Sequence, residues 1–300
     1  MYTKILIPLD GSRTAERVLP FARVLAGTLK IPIELLEVVD VSAVSAHIAA
    51  DKARYLDALI AEGERASREH LKEVAAEFPG IKVSCSVERG DPADAIIARA
   101  AADKGTLIAM ATHGRSGVTR WMMGSVAEKV LRGSESPMFL VRADEDVTAD
   151  GGARIKSIVV PLDGSELAES VLPTVVEVAN SMALEVVLCR AYELPASAYY
   201  GREEYLPNYD DMLLKLKGEV ESYLAKKVEL LKRVGLAKVS SVALEGSGAD
   251  EVVRYSREHP DALIAMCTHG RSGVRRWVLG SVTEKVVRQS GDPVLVVHAA

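Results

Sequence analysis

The chain contains one pattern twice, and this duplication limits its possible folds more than any other feature. Asp163 lies 153 positions after Asp10 in a repeated Pro-Leu-Asp-Gly-Ser segment, and Gly270 lies 156 positions after Gly114 in a repeated Thr-His-Gly-Arg-Ser-Gly-Val segment. A nearly constant offset across 300 residues indicates two similar domains, each long enough to bury its own core. Two copies are too few for a solenoid, which needs about three stacked repeats.

Within each half, short apolar runs alternate with stretches of helical period. The runs predict strands at 5–9, 33–39, 81–87, 107–111 and 138–141, and again near 155–162, 184–191, 238–244, 262–267 and 293–298. Helices are predicted over 14–28 and 51–78 and from Asp91 and Ser125. Alternating strands and helices predict a parallel sheet covered on both faces, and right-handed crossovers make it doubly wound.

The predicted architecture is therefore a pair of α/β domains, each a doubly wound five-stranded parallel sheet. The first domain is expected over 1–143 and the second over 154–300. The segment 144–153 is polar, small and acidic, lacks periodicity, and is predicted to be the linker.

The repeated segments indicate where a ligand would bind. Ligands of doubly wound sheets bind beyond the carboxyl ends of the strands, at the point where the strand order reverses. The two longest identical runs follow predicted strands one and four of each half. If these strands flank the reversal, both runs line one crevice, and the sequence predicts one site in each domain.

Two interpretations of the second repeated segment remain open. A glycine-rich loop that leads into a helix brings backbone amides close to an anion, as phosphate sites do. Alternatively, Ser125 with Glu128, and Ser281 with Glu284, match the capping box that closes a helix start without any ligand. On that second interpretation Gly124 and Gly280 only ease the turn into the helix.

Composition excludes several classes of function. The chain is 48% hydrophobic and 26% charged, and its net charge of −5 gives no electrostatic basis for binding nucleic acid or an anionic membrane. No apolar run approaches the ~20 residues of a membrane span, and no signal peptide is predicted at the start. Three scattered cysteines form no metal pattern with the six histidines, which is typical of a reducing cytoplasm.

The sequence resembles the universal stress protein family in its tandem-domain form. The resemblance rests on Asp10 and Asp163 after strand one, on the strand order, and on the loop after strand four. ATP-binding members carry Gly, two residues, Gly, nine residues, then Gly-Ser or Gly-Thr. Here Gly114 is followed by nine residues and Gly124-Ser125, and Gly270 by nine residues and Gly280-Ser281. Ala111 and Cys267 replace the first glycine of the pattern.

The resemblance implies a Rossmann-like fold, akin to adenine nucleotide alpha hydrolases, and ATP, ADP or AMP as ligand. It implies that Asp10 and Asp163 contact the ribose or adenine side and that the Gly-rich loops surround the phosphates, with Mg²⁺ accompanying a polyphosphate. The predicted site of the first domain comprises Pro8, Leu9, Asp10, Val38, Val39, Met110, Ala111, His113, Gly114, Arg115, Gly124, Ser125 and Val126. That of the second comprises Pro161, Leu162, Asp163, Ala191, Tyr192, Met266, Cys267, His269, Gly270, Arg271, Gly280, Ser281 and Val282.

Several alternatives accompany these assignments. Asp10 and Asp163 would instead cap the first helix, and Arg115 and Arg271 would simply be solvated. His113 and His269 resemble general bases, but no nucleophile with a base and an orienting acid is evident, so no catalytic residue is assigned.

The expected function is that of a cytoplasmic, nucleotide-binding stress or signalling regulator. The alternatives are an ATPase or nucleotide hydrolase on the same scaffold, and a dimerisation module without nucleotide. The apolar last strands, 138–141 and 294–297, predict an intramolecular pseudo-dimer of the two domains and allow a further homodimer.

Overall fold

The chain forms two compact units, Met1–Arg154 and Ile155–Ala300, each with its own sheet and core. In a computed structural model, the structure describes residues 2–41, 55–113, 123–142, 153–194, 209–268 and 279–298. Among these described residues, no helix combines the length and the apolar character needed to cross a bilayer. The predicted linker, 144–153, lies almost entirely outside them.

The first domain is a five-stranded parallel sheet with helices between its strands. The strands are β1 (Lys4–Leu9), β2 (Ile33–Val39), β3 (Val83–Arg89), β4 (Thr106–Ala111) and β5 (Met138–Val141). The helices are α1 (Arg13–Glu16), α2 (Leu19–Leu29), α3 (Leu56–Ala76), α4 (Pro92–Ala101) and α5 (Ser125–Gly133). Within this domain the strands lie in the order β3-β2-β1-β4-β5.

The second domain repeats this plan. Its strands are β6 (Ser157–Pro161), β7 (Glu185–Tyr192), β8 (Val239–Glu245), β9 (Ala262–Cys267) and β10 (Val294–Val297). Its helices are α6 (Glu166–Glu169), α7 (Leu172–Met182), α8 (Tyr209–Arg233), α9 (Gly248–Glu258) and α10 (Ser281–Gln289). Within this domain the order is β8-β7-β6-β9-β10, so the predicted doubly wound α/β fold is confirmed in both halves.

The apolar strands form the core because helices cover both faces of each sheet. Every residue of β4 and β9 is buried, as are Ile5, Leu6 and Ile7 of β1. Continuous burial explains why these strands are uninterrupted apolar runs, whereas β3, at the outer end of the order beside β2, has no fully buried residue and includes polar side chains. The order reverses between β1 and β4, and between β6 and β9, which places the crevice at their carboxyl ends.

The first crossover differs from the single helix predicted over 14–28. It is broken into α1 and α2, and Pro20 occupies the first turn of α2. Proline has no backbone N–H to continue the α-helical hydrogen bonds, and its ring clashes with the preceding turn. The second domain breaks its first crossover in the same way, with Pro173 in the first turn of α7.

The third strand also begins later than predicted. Strand β3 runs from Val83 to Arg89 rather than over 81–87, because the amide of Ile81 donates to the Phe78 carbonyl across a turn at Gly80. Gly80 adopts φ +78°, a conformation that favours glycine. The pairing of Ile33 with Val83 then sets the register of β2 and β3.

Candidate functional site

In the first domain, a cavity of about 710 Å³ opens at the carboxyl ends of β1, β2 and β4; we call it pocket 1. This volume is within the range of small-molecule sites. Pocket 1 is lined by eleven residues of the predicted site, namely Pro8, Leu9, Asp10, Val38, Val39, Met110, Ala111, His113, Gly124, Ser125 and Val126. The fold thus brings together the strand ends at 8–10 and 38–39 with the segments 110–113 and 124–126, although these parts are far apart in the sequence.

The second domain has an equivalent cavity of about 640 Å³, pocket 2. Its lining includes ten predicted residues, namely Pro161, Leu162, Asp163, Ala191, Tyr192, Met266, Cys267, Gly280, Ser281 and Val282. The remaining predicted residues, Gly114, Arg115, His269, Gly270 and Arg271, lie outside the part of the chain that the structure describes. Both cavities form where the sheet order reverses, so the geometry places them by the same topological rule.

The start of helix α5 forms one wall of pocket 1. Gly124 is the N-cap, and its amide donates to the Thr112 carbonyl at 2.7 Å, which ties the helix start to the end of β4. The first intrahelical bond runs from Glu128 to Gly124, so the amides of Ser125, Val126 and Ala127 precede it. Helix α10 begins in the same way at Gly280, whose amide donates to the Thr268 carbonyl at 2.8 Å.

The capping-box interpretation of these helix starts is wrong. Ser125 and Ser281 are the first helical residues rather than the caps, and the glycine caps have no side chain to satisfy the first-turn amides. Glu128 pairs with Arg132 at 3.1 Å, one turn further along the helix. Glu284 pairs with Arg288 at 2.8 Å. The helix starts therefore present backbone donors and a positive dipole end to each pocket.

Asp10 and Asp163 do not cap the first helices, contrary to the alternative considered above. The caps are Ser12 and Ser165, whose side chains accept from the amides of Ala15 and Ala168. Asp10 accepts from the Ser12 amide at 3.0 Å, and Asp163 from the Ser165 amide at 2.9 Å. Each carboxylate is thereby fixed at the pocket edge.

One wall of pocket 1 is polar, and its residues were not predicted from the sequence. Glu37 on β2 is only 5% exposed and hydrogen bonds to Nδ1 of His70 on α3, while His70 Nε2 lies 3.0 Å from Oε1 of Glu16 on α1. Burial by itself lowers the pKa of His70, but the bonds to Glu37 and Glu16 and their negative charges outweigh it and raise the pKa. A charged residue within an apolar strand run was the available signal.

The corresponding wall of pocket 2 has a different chemistry. Arg190 on β7 lines the cavity, and its guanidinium carbon lies 4.7 Å from the ring centroid of Tyr223 on α8. Tyr223 donates to Glu169 Oε1 at 2.8 Å. Alignment of the two halves would have revealed this difference, because Arg190 follows Glu37 by the same 153 positions that separate the two aspartates.

The residues that replace the first loop glycine point to the pockets. Ala111 and Cys267 are both buried and line their cavities. Sγ of Cys267 lies 3.0 Å from Oγ of Ser170. Burial raises the pKa of the Cys267 thiol against the opposing effect of the Ser170 hydrogen bond. The second pocket therefore has a larger side chain at this position than the first, and its thiol is less reactive than that of an ordinary exposed cysteine.

The donors and acceptors of each pocket fit an adenine nucleotide. An apolar floor of strand residues suits a base, and the fixed aspartate suits ribose hydroxyls. The helix start, whose glycine cap leaves the first-turn amides without a side-chain partner, suits phosphate. Among the described residues, no group of three His, Cys, Asp or Glu side chains is placed to hold a metal ion.

Comparison with known proteins gives a consistent result over both halves. The model of the "Universal stress protein family" matches residues 1–142 and again 154–298. Universal stress protein MJ0531 of Methanocaldococcus jannaschii is 31% identical over 142 residues, which is 47% of this chain and 83% of that protein. A universal stress protein of Mycolicibacterium smegmatis is 22% identical over 98% of this chain and 96% of its own length.

Solved structures show the same fold. The crystal structure of a universal stress protein from Archaeoglobus fulgidus superposes with a TM-score of 0.74, covers 100% of both chains and is 20% identical. A functionally unknown protein from Pseudomonas aeruginosa superposes with a TM-score of 0.66 over 99% of this chain and 93% of its own. At these identities the likeness concerns the fold.

Proposed function

The chain belongs to the universal stress protein family, with one family domain in each half, and we propose from this that it binds ATP or a related adenine nucleotide in each pocket. The nucleotide would act as a signal that biases conformation or partner binding in a cytoplasmic stress regulator. One observation supports the proposal above all. In each domain an aspartate fixed at the end of the first strand lines the same cavity as a helix start whose cap is a glycine without a side chain.

Each part of the pocket has a role in this proposal. Asp10 and Asp163 accept hydrogen bonds from ribose hydroxyls, and the strand ends at Val38 and Val39, or Ala191 and Tyr192, contact the base. The first-turn amides of α5 and α10 bind phosphate through the positive end of the helix dipole. None of these roles requires chemical conversion of the nucleotide.

The test is ligand-induced stabilisation of the whole chain. Nucleotide at ~100 times its dissociation constant adds about 2.7 kcal/mol, and for a domain of this size that raises the melting temperature by roughly 5–10 °C. Melting curves with ATP, ADP and AMP, with and without Mg²⁺, measure the shift. If none of the three ligands shifts the transition, the proposal is wrong.

Replacement of the cap glycines connects the shift to the pockets. Gly124→Val and Gly280→Val should each reduce the nucleotide-induced shift, because a branched side chain blocks the approach of backbone to phosphate. We expect the larger loss with Gly124→Val, since the smaller Ala111 should leave a ligand more room in pocket 1 than Cys267 leaves in pocket 2. The matched control is Gly27→Val at an exposed glycine with no neighbour within 4 Å of its added Cβ, which should preserve the shift.

Turnover is measured separately. Incubation with ATP and Mg²⁺ should give stoichiometric binding without release of phosphate. Multiple turnovers that disappear in the Gly124→Val and Gly280→Val proteins would instead support the nucleotide hydrolase.

We further propose that the two domains associate through their last strands. Met138–Val141 and Val294–Val297 are short, wholly apolar, and last in the sheet order of their own domains, and apolar edges favour pairing. Solution scattering should then give one compact particle. An extended profile with two separate bodies would contradict this association.

A further inference from the structure

The two pockets differ in charge at one equivalent position of the second strand. Glu37 on β2 and Arg190 on β7 occur 153 positions apart, as Asp10 and Asp163 do, and each lines its cavity. The strand pairing agrees with this equivalence. Glu37 on β2 pairs with Leu9, and in the second domain the amide of Leu162 donates to the carbonyl of Cys189, which directly precedes Arg190. The substitution therefore changes a carboxylate into a guanidinium beside the same aspartate turn.

Neighbouring helices support each charge differently. In the first domain Glu37 and Glu16 flank the imidazole of His70, so two carboxylates share one histidine. In the second domain Glu169 takes the place of Glu16, but it accepts from Tyr223 at 2.8 Å and from Lys227 at 2.6 Å. Two carboxylates therefore share one histidine beside Glu37, whereas two cations, Arg190 and Lys227, accompany one carboxylate in the matching cluster of the second domain. The rest of the pocket 2 lining includes the acidic residues Asp163, Glu193 and Glu219, so the difference concerns this cluster and not the whole cavity.

Arg190 is held against the aspartate turn of pocket 2. Its guanidinium stacks on the Tyr223 ring, which restricts the side chain before any ligand arrives. A Cβ added to Gly164, the residue after Asp163, would lie 2.8 Å from Nη1 of Arg190. Gly164 also adopts φ +89°, so this close approach needs glycine.

We propose that pocket 2 selects an adenine nucleotide whose ribose carries a phosphate at the 2′ or 3′ position, whereas pocket 1 takes nucleotides with free ribose hydroxyls. This inference rests on the proposed function, in which the aspartate turn faces the ribose. An acidic residue there binds hydroxyls, while an arginine nearby accommodates a ribose phosphate. The planar guanidinium matches phosphate oxygens in a bidentate manner, and Glu37 would repel the same group.

The experiment compares two ligands with equal numbers of phosphates. ADP carries both on the 5′ position, whereas adenosine 3′,5′-bisphosphate and its 2′,5′ isomer carry one on the ribose hydroxyl side. In calorimetric titration of the full chain, we expect one of two site classes to bind a bisphosphate about tenfold more tightly than ADP, because hydrogen bonds between charged groups contribute an order of magnitude in affinity.

Substitutions then assign the preference. Arg190→Gln should bring the ratio of ADP to bisphosphate dissociation constants at that site to within about threefold of one. The matched change in pocket 1 is Glu37→Gln. Because it removes a carboxylate that would repel a ribose phosphate, the bisphosphate should bind more tightly relative to ADP at pocket 1. Two glycine variants check which pocket has which preference. Gly124→Val should weaken binding at pocket 1 and keep pocket 2 intact, and Gly280→Val should do the reverse.

The outcomes separate this inference from the proposed function. Equal ratios at both sites, or a bisphosphate preference that survives Arg190→Gln in the otherwise unchanged chain, would overturn the inference while leaving nucleotide binding intact. The absence of binding of ADP and both bisphosphates by the unsubstituted chain would overturn both. The Arg190→Gln comparison needs no glycine variant, so it decides the question even where those variants do not fold.

Discussion

One side chain in the polar wall of pocket 1, His70, makes the stability of the first domain depend on pH. His70 lies between Glu37 on β2 and Glu16 on α1, and its protonated ring donates to both carboxylates. Its folded-state pKa is raised above the ordinary value near 6.5. A raised pKa means that the folded state binds the proton more tightly than the unfolded state does. The resulting stabilisation is complete below about pH 6.5 and is lost as pH rises through the folded-state pKa.

We therefore expect the free energy of unfolding of the first domain to decrease as pH is raised from 6.5 through neutrality. His70→Gln should remove this component, which chemical denaturation at several pH values would measure. His259→Gln is the control, because that exposed histidine bonds to the Tyr255 carbonyl instead of a carboxylate. The same pH slope in wild-type and His70→Gln proteins would contradict the assignment.

The three cysteines should differ in reactivity although none is in a disulfide. Burial raises the pKa of Cys189 to about 12, so this thiol is almost entirely protonated near neutral pH. Cys267 is buried as well, whereas Cys85 is exposed. Iodoacetamide followed by mass spectrometry should label Cys85 first, and the other two only on unfolding. Labelling of Cys267 as fast as Cys85 would instead favour an oxidant-sensing thiol.

At the level of helices, the starts of α4 and of α5 and α10 differ in whether a side chain caps them. The N-cap of helix α4 is Asp91, whose carboxylate accepts from the Asp94 amide at 3.0 Å and pairs with Lys129. The N-caps of helices α5 and α10 are glycines without a side chain. Their first-turn amides face the pockets, whereas the start of α4 is satisfied by its own cap.

A matched pair of substitutions tests the importance of side-chain capping. Asp91→Ala should lower the free energy of unfolding by about 1 kcal/mol and the melting temperature by about 2–4 °C. The equivalent cap in the second domain, Ser247, makes no side-chain capping bond to helix α9, so Ser247→Ala should change stability by less than about 0.5 kcal/mol. Equal losses in thermal unfolding would show that capping does not explain the difference.

At the scale of the whole molecule, duplication gives each half its own core and its own pocket. The family match and the two compact units agree that the chain is a tandem of two similar domains. Their pockets nevertheless differ at Glu37 and Arg190 and at Ala111 and Cys267. Under the proposals above, such differences after duplication would give the two pockets different ligand preferences.

The proposed association of the domains leads to a prediction for a fragment. Residues 1–142 alone should fold cooperatively, because the core of this unit is internal. With the apolar strand Met138–Val141 last in its sheet, the fragment should self-associate with rising concentration. Sedimentation velocity at several concentrations measures this, and the full chain at matched concentration is the control. A fragment that stays monomeric throughout would argue against pairing through that strand.

The sequence alone determined the fold and the location of both pockets. Strand and helix periods are local properties, and parallel pairing with right-handed crossovers leaves few arrangements of five alternating units. The identical segments at Asp10 and Gly124, and at Asp163 and Gly280, could then be assigned to the strand ends beside the reversal. These inferences needed only the order of the elements.

Only the tertiary structure decided the details that depend on distant segments meeting. Ser125 matches a capping box locally, but Gly124 has an extended backbone and its carbonyl accepts the first helical bond from Glu128, so Gly124 is the cap; its amide bond to the Thr112 carbonyl holds it at the end of β4. Glu37 and His70 are 33 positions apart and meet because α3 packs on β2. Contacts of this kind depend on where helices lie over the sheet, and the spacing of residues along the chain carries no record of it.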